Sequence, residues 1–124
     1  MVRAAMIVLA GAVTLGLGLG LWHLREPGHR SAWLNWVGIV HGGLGAVALG
    51  LLVLAVQGPP RGVATGTDLF GLVAAILLGV ALLVGLTLPF VARRRAVLSG
   101  TVMAVHAGIA ITGTTIVLAW AAFD

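Results

Sequence analysis

The chain has 124 residues, 60% of them hydrophobic and only 8% charged, a balance far outside that of a soluble domain. It has no cysteine, which excludes disulfides, iron–sulfur clusters and thiolate metal sites. All seven basic residues are arginine; they give a net charge of +4 but flank apolar runs, so they point to membrane orientation and not to nucleic acid.

The first predicted helix covers about 4–24. Arg3 before it resembles the start of a signal peptide. The apolar stretch is longer than a usual h-region, though, and no small-x-small cleavage site follows, so it reads as a retained helix. The segment Arg25-Glu26-Pro27-Gly28-His29-Arg30 breaks it. The second helix covers about 32–57, with Trp33 and Trp36 near its start and His41 well inside. Gly58-Pro59-Pro60-Arg61-Gly62 and a Thr/Gly stretch end it. The third covers about 68–92, with Thr67 or Asp68 as N-cap and Pro89 expected to kink or end it. After Arg93-Arg94-Arg95 the fourth covers about 97–123. There Thr112, Thr114 and Thr115 are expected to bond back to the helix. Each run exceeds the roughly 20 residues needed to cross a bilayer.

The expected architecture is an all-α membrane protein, a four-transmembrane-helix up-down bundle forming a single domain over residues 1–124. Five arginines lie in the first and third loops, against Arg3 and Arg61 on the other side. That places those loops in the cytoplasm and both termini outside, with a bacterial inner membrane as the expected location. Trp22, Trp33 and Trp36 would form the cytoplasmic belt, and Trp120 would anchor the opposite interface.

The second and fourth helices resemble each other when aligned on their histidines. One reads Ile39-Val40-His41-Gly42-Gly43-Leu44-Gly45, the other Ala104-Val105-His106-Ala107-Gly108-Ile109-Ala110. Small residues follow at matching positions: Gly43, Gly45 and Ala48, and Gly108, Ala110 and Gly113. An arginine-containing loop precedes each. The pattern suggests a tandem repeat of two-helix units.

An ionisable side chain inside a bilayer is costly and marks a candidate functional site. His41 and His106 each lie about nine residues into their helices, roughly 12–15 Å at 1.5 Å per residue. Helices two and four are parallel and diagonal in an up-down bundle, so the imidazoles would face the axis at one level. That is the arrangement a bis-His haem needs, and the expected cofactor is one haem b with His41 and His106 as axial ligands. Gly38 and Gly45 share the face of His41, and Ala110 and Gly113 that of His106, giving low surfaces beside a flat macrocycle. Gly16, Gly20, Ala75 and Gly79 offer the same on the other helices, although such residues equally serve helix packing. Thr101, Ser99, Thr112 or a backbone carbonyl would accept the second imidazole N–H. Arg25, Arg30 and Arg93 to Arg95 would meet the propionates.

His23 reads as an interfacial histidine, with propionate or quinone contact as an alternative; His29 reads as a solvated loop residue. Asn35 reads as an interfacial hydrogen-bonding residue. The three acidic residues, Glu26, Asp68 and Asp124, lie at ends or in loops, so the usual groups for hydrolysis, phosphoryl transfer or a carboxylate proton path are missing.

The two glycine-rich segments around His41 and His106 resemble the small b-type membrane cytochromes, which include cytochrome b561-like proteins and haem-bearing anchor subunits of respiratory enzymes. That resemblance implies haem b ligation and electron transfer to or from quinone or a partner protein, alone or within a homo- or hetero-oligomer, rather than a stand-alone enzyme. It covers two helices only. Typical b561 proteins carry four ligand histidines for two haems; this chain offers one buried pair. Two other readings stay open: a non-redox accessory or scaffold subunit with structural histidines, and a His-lined metal or proton pathway.

Overall fold

The computed structural model describes residues 1–26, 31–94 and 96–122, with the backbone alone for 92–94, 96 and 97. It contains four long helices: α1 (Val2–Arg25), α2 (Ala32–Val56), α3 (Phe70–Arg94) and α4 (Ala96–Ala122). A short 3-10 turn, Val63–Thr65, lies between α2 and α3. All four helices are long and apolar enough to cross a membrane, and the chain is an integral membrane protein. The predicted end of the fourth helix at Phe123 lies outside the described residues.

Local chemistry explains most of the boundaries. Ser31 caps α2, its hydroxyl accepting from the Leu34 N–H at 3.3 Å. The third helix begins two residues later than expected, at Phe70. Gly62 and Gly66 adopt positive φ (72° and 69°), and the loop folds back so that the Thr67 N–H donates to the Gly62 carbonyl at 2.9 Å. The Thr67 hydroxyl pairs with that of Thr65 at 2.9 Å, so Thr67 belongs to the turn. The first helical bond instead runs from the Val73 N–H to the Leu69 carbonyl. At the other end Pro89 does not stop α3, which continues to Arg94. Thr112, Thr114 and Thr115 bond back to the carbonyls of Gly108, Ala110 and Ile111 at 2.7–2.9 Å, as expected.

The helices pack as two hairpins. α1 lies along α2 and α3 along α4, while α2 against α3 and a lighter contact of α1 with α4 close the square. Among the described residues α2 and α4 do not pack on each other, so these two helices are diagonal, as are α1 and α3.

Packing is concentrated at one end. Lipid is as apolar as leucine, so helices in a bilayer associate through close fit, and small residues dominate. The buried cluster joins Val2, Ala5 and Leu9 of α1 to Ala48, Leu52 and Ala55 of α2, Ala74 and Leu78 of α3, and Val117 and Trp120 of α4. All of these lie toward the ends of α1 and α4 that carry the described termini. Buried positions recur between the two hairpins. Ala5 and Leu9 correspond to Ala74 and Leu78 at an offset of 69, and Ala48 and Leu52 to the buried Gly113 and Val117 at an offset of 65.

Trp120 corrects one expectation. It is not an interfacial anchor: it is 3% exposed and sits on Gly71, where a Cβ would come within 2.8 Å of its ring. Glycine there admits the indole to the core, although the indole Nε1 has no hydrogen-bond partner among the described residues. Trp22, Trp33 and Trp36 are exposed near the opposite end, in keeping with a belt.

Candidate functional site

His41 and His106 project from the diagonal pair α2 and α4 toward each other. Their ring centroids are 5.9 Å apart, with the planes at 82°. Each ring is tied to the other helix of its own hairpin. His41 Nδ1 donates to the Ala12 carbonyl of α1 at 2.8 Å, and His106 Nδ1 donates to the Ala81 carbonyl of α3 at 2.8 Å. A carbonyl can only accept, so both Nδ1 atoms carry a proton, and a neutral ring in that tautomer has its lone pair on Nε2.

A glycine stands beside each ring. A Cβ on Gly16 would come within 2.8 Å of His41 Cε1, and one on Gly85 within 2.9 Å of His106 Cε1. Both glycines are four residues beyond the accepting alanine. A helical side chain covers the turn N-terminal to its own Cα. Glycine at this position therefore exposes the alanine carbonyl and leaves room for the imidazole that reaches it. The result is one device used twice: Ala-x-x-x-Gly on one helix, histidine on the next.

The predicted flanking residues divide. Gly38 has no atom within 4 Å of where its Cβ would lie, which leaves an open surface one turn from His41. A Cβ on Gly45 would lie 3.9 Å from Leu82 of α3, and one on the buried Gly113 would lie 3.0 Å from Leu78, so these two face neighbouring helices. Ala110 is half-buried one turn beyond His106. Of the wider set, Gly16 touches His41, Gly20 faces open space and Gly79 meets Leu49 at 3.8 Å. Ala75 packs at the margin of the buried cluster.

Among the candidate acceptors for the second imidazole N–H, backbone carbonyls take the role. Thr101 is exposed, Thr112 bonds to Gly108, and Ser99 is buried near the start of α4. Arg25 is exposed at the end of α1, and His23 is half-buried nearby. Arg30, Arg95 and His29 lie outside the described residues, as do the side chains of Arg93 and Arg94. Sequence reasoning missed Ala12, Ala81 and Gly85. The signal was present as Ala12-x-x-x-Gly16 and Ala81-x-x-x-Gly85, 69 positions apart.

The donor set restricts what the site can hold. No group of three or more His, Cys, Asp or Glu side chains converges among the described residues. Two imidazoles do not complete a tetrahedral protein site. They do complete a metal whose other ligands come with it, as in a porphyrin. Metal–imidazole bonds of about 2 Å on opposite sides of one ion would put ring centroids about 6.3 Å apart, a few tenths of an ångström beyond the observed 5.9 Å. An Nδ1–H held by a backbone carbonyl is the usual support for a ligating imidazole.

Beyond the histidines, toward the first and third loops, Leu19, Val37, Leu88, Val102 and Met103 are only half-buried, while the buried apolar cluster lies on the other side of the pair. No protein-family model, no curated protein and no solved structure matches the chain.

Proposed function

We propose that this protein is a b-type membrane cytochrome that holds one haem b between His41 and His106 and passes electrons within or across the membrane. The observation that carries the reading is the paired geometry: two Nδ1-tethered imidazoles, 5.9 Å apart, from diagonal helices. Bound there, haem would supply one-electron exchange. The chain's own residues do the rest. His41 and His106 would hold it, and the Ala12 and Ala81 carbonyls fix the tautomer and orientation of the two rings. The apolar helices exclude water, which keeps the site dry. Arg25 and the other loop arginines suit the propionates. The electron partner on this reading is quinone or another redox protein, with the chain acting alone or within a homo- or hetero-oligomer. Arginine distribution supports an inner-membrane orientation with both termini outside.

The test is the absorption spectrum of the detergent-purified protein after haem-replete expression. A b-type Soret band and a sharp reduced α band, with one haem per chain, are expected. Absence of haem, or full haem retention in both His41→Ala and His106→Ala, overturns the reading.

A second reading has its own support. The separation and steep angle of the two rings also suit an edge-to-face aromatic pair, worth about 0.5–1.5 kcal/mol. The histidines would then be structural, and the chain an accessory or scaffold subunit. That version predicts a stable protein without cofactor whose His41→Phe variant stays folded.

A further inference from the structure

We infer that Gly16 and Gly85 are positioning residues that hold the two imidazole planes nearly perpendicular, so that an iron held between them would meet crossed rings; this rests on the haem reading above. A histidine ring otherwise has broad freedom about its last torsion. Here two contacts remove it. The Nδ1 bond to Ala12 or Ala81 fixes one edge of the ring, and the bare backbone of Gly16 or Gly85 receives the adjacent Cε1. The two hairpins repeat this local arrangement, yet the rings meet at 82°. The angle is therefore set by how the hairpins cross in the bundle, and each glycine transmits it to its own ring.

The electronic consequence follows from orbital overlap. An axial imidazole interacts mainly with the iron d orbital that lies perpendicular to the ring plane. Parallel rings act on the same orbital and split the pair; crossed rings act on both and leave them nearly degenerate. Near-degeneracy in oxidised low-spin iron gives a strongly anisotropic electron paramagnetic resonance signal dominated by one large g value. Parallel rings give a rhombic three-line signal.

The experiment records low-temperature spectra of the oxidised, haem-loaded wild type, Gly16→Ala, Gly85→Ala and the control Gly18→Ala, an exposed position on the same helix whose added methyl would meet nothing within 4 Å. Circular dichroism checks the fold of each. The wild type and Gly18→Ala should show the large-g signal. Each of Gly16→Ala and Gly85→Ala should turn its ring and move the signal toward the rhombic form. If one of these two does not fold, the other carries the same test on its own ring. A rhombic wild-type signal overturns the crossed-plane inference while leaving haem ligation standing. Unchanged signals in both folded glycine variants overturn the positioning role. Absence of low-spin haem in the wild type overturns the cofactor reading itself.

Discussion

The Nδ1–H of His41 donates across the first hairpin to the carbonyl of Ala12 at 2.8 Å, and it reaches that carbonyl over the bare backbone of Gly16. His106 repeats the arrangement with Ala81 and Gly85. The support on each ring is an uncharged backbone carbonyl. It suits a bilayer interior, where an ionised carboxylate would be expensive.

The tether can be tested by returning the ring as a free molecule. On the haem reading, added imidazole should restore the low-spin spectrum of His41→Gly, because it would coordinate through one nitrogen and donate to Ala12 through the other. 1-Methylimidazole also coordinates but has no N–H for the carbonyl. A lost hydrogen bond of about 1–1.5 kcal/mol predicts roughly tenfold weaker rescue. Equal titration curves for the two ligands would mean that the Ala12 bond contributes nothing to holding the ring.

The duplicated core supplies a stability test. Gly71 and Trp120 in the second hairpin correspond to Val2 and Ala55 in the first, and all four are buried. One repeat fills the space from the even helix, the other from the odd. Gly71→Val alone should overpack the Trp120 ring and destabilise by about 1–3 kcal/mol. Gly71→Val with Trp120→Ala should lose less than the sum of the single variants, by about 1 kcal/mol or more. Denaturation in detergent, followed by circular dichroism, measures the four corners of this cycle. Strict additivity would show that the two positions do not share one space.

Orientation is accessible because the chain contains no cysteine. Single cysteines placed at Gly66, between α2 and α3, and at Glu26, after α1, report on opposite sides. In intact cells a membrane-impermeant maleimide should label Gly66→Cys and spare Glu26→Cys. The reverse pattern would invert the topology read from the arginines.

The helices and their span were legible because a bilayer makes severe local demands. Every backbone polar group must be satisfied within its own segment, so a long apolar run bounded by Pro, Gly and Arg has few outcomes besides a helix. The diagonal relation of α2 and α4 follows from the up-down order. Finer points escaped. Thr67 looked like an N-cap, but its hydroxyl is taken by Thr65 in a turn stabilised by two positive-φ glycines. Trp120 looked like an interfacial anchor, because tryptophan near a helix end normally is; only the glycine on the facing helix shows that a pocket receives it.

Four spans, their order and the equal depth of two rare histidines depend only on hydropathy and spacing along one chain, and are legible there. What each imidazole touches depends on how the helices pack. Ala12 and Gly16, like Ala81 and Gly85, are ordinary small residues until a neighbouring helix packs in one register against them. That register, and the 82° between the rings, arise from contacts between helices, which no single helix encodes.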